Sequence, residues 1–104
     1  MPSNTLNGRT FQVDDEGFLT DPGQWSEELA ADMAALVGIE LTPAHMAALE
    51  FMRSDREETG STPTLRRMNS AGGFDVKELF TLFPGKPAKK MAWLAGLPKP
   101  VGCV

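Results

Sequence analysis

Proline and glycine cut this chain into short lengths, and those lengths decide what it can fold into. Thr42-Pro43 is a helix start, with threonine placed to cap and proline preset for the first helical position. Met46, Ala48, Leu49 and Met52, flanked by Phe51, form an apolar stripe running to about Thr59, and Gly60 breaks it. The signal repeats at Ser61-Thr62-Pro63, opening a shorter helix through Leu65 and Met68 that Ala71-Gly72-Gly73 interrupts. Asp75 is placed to cap the next segment, in which Val76, Leu79, Phe80 and Phe83 fall on one face before Pro84-Gly85 stops it. A last helix runs from about Pro87 through Met91 and Leu94, and Gly96 closes it.

Upstream, Asp21-Pro22-Gly23 is a turn, followed by Trp25, Leu29, Met33 and Leu36 at three- and four-residue spacing. This predicts an amphipathic helix over about 24–37, with Glu27 and Glu28 at its positive end, Gly38 after it, and Trp25 as a core anchor. Before it, Phe11 and Val13 alternate, Asp14-Asp15-Glu16-Gly17 forms a turn, and Phe18-Leu19 follows, which predicts a small β-hairpin that leans on the helices. The fold class expected is mostly α (α+β): a compact helical bundle with a small N-terminal β-hairpin and a mobile C-terminal arm. Residues 1–96 form the body and 97–104 the arm.

A chain of 104 residues, 41% hydrophobic and 23% charged, supports one modest core. No apolar run approaches the ~20 residues that span a bilayer, and MPSNTLNGR has no signal-peptide apolar region, so a cytoplasmic location is expected. The net charge of −4 hides an asymmetry: residues 1–60 hold three Lys/Arg and twelve Asp/Glu, whereas residues 61–104 hold seven and two. The basic part carries the only cysteine, Cys103.

A cysteine with no partner in the chain, placed where termini are usually least ordered, is not there for a disulfide framework or a core. Pro98 and Pro100 favour an extended strap, and Gly102 gives it a hinge. From Gly96 to Cys103 the chain spans at most about 25 Å at ~3.3–3.6 Å per residue, enough to enter another protein's pocket. The plain alternative is a frayed tail, but exposed free thiols are a liability that soluble proteins avoid. Cations favour the reactive thiolate, and Arg66, Arg67, Lys86, Lys89 and Lys90 are candidate sources of such a field, opposed by the neighbouring α-carboxylate. Arg66, Lys89 and Lys90 are the residues expected to meet the arm or a partner, each set against ordinary solvated charge.

His45, the only histidine, has no clustered ligands for a metal and no nearby nucleophile, so a capping or surface role is expected, with no metal and no cofactor. The helix from 43, a turn, and the helix from 63 with Arg66 and Arg67 have the outline of a helix-turn-helix. The acidity of everything up to Gly60 weighs against direct DNA binding. A single accessible thiol on an arm suits transfer of a sulfane sulfur better than hydrolysis, for which no base or oxyanion arrangement is visible. Redox sensing through an intermolecular disulfide is the nearest competitor.

The block Leu82-Phe83-Pro84-Gly85-Lys86-Pro87-Ala88-Lys89, with Ala95 through Val104, resembles the C-terminal signature of the DsrC/TusE family of sulfur-relay proteins. Gly17-Phe18-Leu19, Gln24-Trp25-Ser26, Leu41-Thr42-Pro43 and Thr62-Pro63 with Arg66 agree with it along nearly the full length. The resemblance implies a carrier rather than an ordinary catalyst, whose Cys103 accepts sulfur as a persulfide from a donor of the TusBCD or DsrEFH type. It passes the sulfur to a tRNA-thiolating enzyme or to a protein related to sulfite reductase. Relatives that serve dissimilatory sulfite reductase have a second cysteine eleven positions earlier; Ala92 stands there, which points to the single-cysteine, TusE-like branch. The segment Asn69 to Asp75 also looks shorter than in most relatives.

Overall fold

The computed structural model describes residues 3–6 and 8–98, with the side chains of 3–6, 9 and 22 left aside. Strands β1 (Ser3–Leu6) and β2 (Arg9–Gln12) pair antiparallel, and helices α1 (Glu27–Leu36), α2 (Pro43–Thr59), α3 (Leu65–Ser70), α4 (Val76–Leu82) and α5 (Pro87–Leu94) follow. The mostly helical architecture is the one the punctuation predicts.

The hairpin is displaced from its expected place. Its strands pair with Leu6 opposite Arg9, and Gly8 before β2 takes a φ of +80°, so glycine's freedom serves this short connection. The acidic turn at 14–17 does reverse the chain, with Asp14 Oδ1 accepting from the amides of Glu16 and Phe18 at 2.9 and 3.0 Å. It supports only one bridge, Val13 to Leu19, because the chain leaves after Leu19.

Helix α1 begins at Glu27, about three residues later than expected, capped by Ser26 Oγ, which accepts from the Leu29 amide at 3.1 Å, and the expected turn is a 3-10 turn over Pro22–Gln24. Its buried face is Leu29, Ala30, Met33 and Ala34; Leu36, expected in the stripe, is 65% exposed. Gly38 sits one residue past the cap with φ +72°, and the Ile39 amide reaches back to the Ala34 carbonyl at 2.9 Å, a left-handed helix stop that only glycine adopts without strain. Helix α2 runs over the expected span, opened by a Thr42–His45 capping box and closed by Gly60 at φ +78°. His45 is buried. Its Nε2 faces the Leu82 carbonyl at 2.8 Å, and because a carbonyl only accepts, Nε2 carries the proton and Nδ1 accepts from the Thr42 amide at 3.1 Å. The one histidine thus ties the start of α2 to the end of α4.

Helix α3 starts two residues later than expected: Thr64, not Thr62, caps it, accepting from the Arg67 amide at 3.2 Å. Asp75 caps α4 as expected. Within α4, Leu79 and Phe83 are buried but Phe80 is 48% exposed. The face that bears Leu79 and the cap residue Phe83 is turned to the core, and Phe80 falls outside it. Helix α5 packs against α1, α2 and α4. The core gathers Phe11, Phe18 and Leu19 from the N-terminal segment with Met33, Leu49, Met52, Met68, Phe83, Met91, Leu94 and Leu97.

Candidate functional site

The C-terminal end of α5 and the residues just after it are held by side chains from three other segments. A helix end leaves carbonyls without intrahelical partners. Trp25 Nε1 donates to the Leu94 carbonyl at 2.7 Å, Arg53 Nη1 donates to the Ala95 carbonyl at 2.7 Å, and Thr62 Oγ1 donates to the Pro98 carbonyl at 2.8 Å. Gly96 takes φ +72°, and the amides of Gly96 and Leu97 return to the carbonyls of Trp93 and Ala92 at 3.2 and 3.0 Å. Leu97, the residue after the left-handed glycine, is 1% exposed and belongs to the core.

Arg53 does more than close a carbonyl. Its guanidinium carbon lies 4.3 Å from the centroid of the Trp25 ring, so the two anchoring side chains also hold one another. Partial burial pushes its pKa below the usual guanidinium value, with Glu57 acting in the opposite direction; it remains a cation at neutral pH because that usual value is so high. Arg53, Arg56, Glu57, Gly60 and Leu97 line a groove of about 230 Å³ at the point of exit.

Along α5, from the residue before it to its last turn, a larger groove of about 400 Å³ is lined by Glu16, Phe18, Val37, Lys86, Lys89, Lys90 and Trp93. Lys89 Nζ stands 4.0 Å from Glu16 Oε2, Lys90 Nζ donates to the Pro84 carbonyl at 2.6 Å, and Trp93 Nε1 donates to the Gly17 carbonyl at 3.1 Å.

Of the residues singled out in the sequence, Lys89 and Lys90 are brought together here. Arg66 is exposed on α3 and is not among the residues lining either groove. Its neighbour Arg67 grips buried Asp55 through two nitrogens, with Nη2 to Oδ1 at 2.7 Å and Nε to Oδ1 at 3.1 Å, which holds its pKa above the usual value. That commitment, on a helix of six residues, leaves Arg66 as the uncommitted member of the arginine pair expected of a DNA-reading helix. Gly102 and Cys103 lie outside the described residues. Ala92 is fully buried, on the core side of α5. Among the described residues no group of acids, histidine or cysteine could hold a metal, and no helix is long and apolar enough to cross a membrane.

Sequence reasoning placed Trp25 in the core and read Thr62 as part of a helix start, but assigned neither a role at the end of α5, and it missed Arg53 altogether. Their partners are 69, 42 and 36 residues away, beyond any local pattern.

The sequence model of the family described as "DsrC like protein" matches residues 5–104. The chain is 35% identical over 105 residues to the dissimilatory-type sulfite reductase subunit gamma of Nitratidesulfovibrio vulgaris, covering 100% of both chains. It is 38% identical over 106 residues to the sulfurtransferase TusE of Escherichia coli, covering 95% of this chain and 97% of that one. The solution structure of Allochromatium vinosum DsrC superposes with a TM-score of 0.81 at 36% identity, over 98% of this chain and 97% of that one. With sequence and fold agreeing over nearly its whole length, this chain belongs to the DsrC-like family.

Proposed function

We propose that this protein is a sulfur carrier that takes up sulfur as a persulfide on Cys103 and hands it to a partner. The observation that carries the reading is that the family match runs through residue 104, so it includes the segment holding the only cysteine, and relatives matched over nearly their full length include a sulfurtransferase. The exit supports it: a strap anchored through Leu94, Ala95 and Pro98 starts from a fixed point on a rigid body. Five residues separate Pro98 from Cys103, which at ~3.3–3.6 Å each allows a reach of at most about 18 Å. The working division is a body up to residue 96 and an arm from 97, with Leu97 and Pro98 as its root and Gly102 as its hinge.

The transfer balances without an oxidant. The Cys103 thiolate attacks the terminal sulfur of a donor persulfide; a new S–S bond forms on Cys103, the donor's S–S bond breaks, and the donor leaves as a thiolate. The terminal sulfur keeps its proton. The same step in reverse roles delivers the sulfur to an acceptor. With one cysteine in the chain, no disulfide can close within it.

The donor fits a complex of the TusBCD or DsrEFH type in the cytoplasm. The acceptor we favour is a tRNA-thiolating enzyme, on the 38% identity to a sulfurtransferase TusE. The match over all of both chains to a dissimilatory-type sulfite reductase subunit favours, as a second reading, a role in sulfur energy metabolism or its regulation. Arg66, Lys89 and Lys90 are proposed contacts of the arm or of partners. Incubation with a persulfide-loaded donor is expected to add about 32 Da at Cys103, and Cys103→Ser to abolish the addition; sulfur retained by that variant sinks the mechanism. Loss of 2-thiouridine from tRNA in a deletion strain selects the first pathway, and unchanged tRNA the second.

A further inference from the structure

The groove at the start of α5 has the make-up of a protein docking site. Its floor is apolar, from Phe18, Val37 and Trp93, and its charged groups are three lysines against one carboxylate, Glu16, which already faces Lys89. Val37 is 40% exposed and its chain neighbour Leu36 is 65% exposed, so uncovered apolar surface continues beyond the groove. Lys90 reaches the Pro84 carbonyl and Lys89 faces Glu16, but the placement of three cations at this helix end, and the exposure of Leu36, are not what stability alone favours. Lys86, Lys89 and Lys90 sit in and before the first turn of α5, the end at which the macrodipole disfavours cations, and no side chain caps that end. An apolar centre with a charged rim is the anatomy of an interface.

We propose that this groove receives an acidic segment of a partner protein, which seats a large apolar side chain against Trp93, Phe18 and Val37 and sets its carboxylates against the lysines. Charge decides the occupant. The chain up to Gly60 carries twelve acids and three cations, so an acidic segment is repelled by much of the molecule and drawn to the lysines of α5. A volume of about 400 Å³ accommodates a large side chain with part of its backbone. The surface is distinct from the groove beside Arg53 and Leu97: it runs along the face of α5 that bears Lys86, Lys89, Lys90 and Trp93, and the two grooves share no lining residue.

The two tryptophans make the test selective, since Trp93 Nε1 lies at the groove and Trp25 Nε1 at the exit. The probe is a capped peptide of Asp and Glu flanking a central Leu-Phe pair, titrated into the full-length, nitrogen-15-labelled protein. The Trp93 indole resonance is expected to move and the Trp25 one to stay. Affinity should fall several-fold between about 50 and 300 mM salt, and about tenfold or more in the double variant K86E/K89Q. The same peptide with Lys in place of its acids should not bind. Salt dependence and the basic peptide decide the matter even if the double variant folds poorly. A Trp93 resonance that stays fixed at millimolar acidic peptide, or equal binding of the basic peptide, overturns the proposal.

Discussion

Helix α5 ends in two opposite ways. Its C-terminal end is closed on all sides: Trp25, Arg53 and Thr62 take the carbonyls of Leu94, Ala95 and Pro98, and Leu97 plugs the core behind them. Its N-terminal end is open, uncapped by any side chain and crowded with lysines above exposed apolar surface. The difference separates two tasks. If the proposed arm carries sulfur, it starts from a point that does not drift, while partners are offered a surface that the fold does not consume. Rigidity at one end and availability at the other are then complementary uses of the same eight residues.

The sharpest way to break this contrast is at Gly96. A Cβ there would stand 2.6 Å from Trp25 Cδ1 and 2.9 Å from Leu19 Cδ1, at φ +72°. Gly96→Ala therefore combines left-handed strain with overpacking and is expected to cost about 3 kcal/mol or more, lowering Tm by roughly 12 °C or more in a domain of this size. Gly8 has φ +80° and nothing within 4 Å of its notional Cβ, so Gly8→Ala should cost only about 1 kcal/mol. Equal losses in urea denaturation would mean that the exit is not tightly built.

A finer probe compares the two indoles. Trp25→Phe keeps a ring but strips the donor from the Leu94 carbonyl and weakens the stacking of Arg53, for an expected loss of about 1–2 kcal/mol. Trp93→Phe removes a longer bond, 3.1 Å to the Gly17 carbonyl, with no cation among the described residues stacked on the ring, and is expected to cost about 0.5–1 kcal/mol. Thermal melts that place Trp93 as the costlier loss would reverse the assignment of which end is locked.

These long-range ties are where reading from sequence ran out. Helix α2 was legible because Thr42-Pro43 and Gly60 act within a few residues of themselves, and α4 was legible from Asp75 for the same reason. The hairpin was misplaced because two turn signals compete within a dozen residues, and only tertiary packing decides which one the strands extend from; the one at Gly8 prevails, and Asp14–Gly17 is left with a single bridge. Thr62 reads like a cap but spends its hydroxyl on Pro98, so Thr64 caps in its place. Leu36 and Phe80 match a helical stripe, yet Leu36 is the last residue of α1 and Phe80 falls outside the face that Leu79 and Phe83 turn to the core. The lysines at 89 and 90 were legible as charge. That they share a groove with Trp93 and Val37 depends on how α5 crosses α1, and no spacing rule contains that.

The smallest expected effect has the opposite sign. If the lysines are kept at the start of α5 for recognition rather than for stability, replacing the first of them should help the fold. Lys86 occupies the cap position with no side-chain hydrogen bond, and an aspartate there would bring both a cap acceptor and a charge of the sign that the helix end prefers. Lys86→Asp is therefore expected to stabilise the protein by about 0.5–1 kcal/mol, raising Tm by several degrees, while weakening the acidic-peptide interaction at the groove. Stabilisation with undiminished peptide binding would detach Lys86 from recognition. A lower Tm would show that the lysine serves the fold after all, and the two ends of α5 would then differ less than their hydrogen bonds suggest.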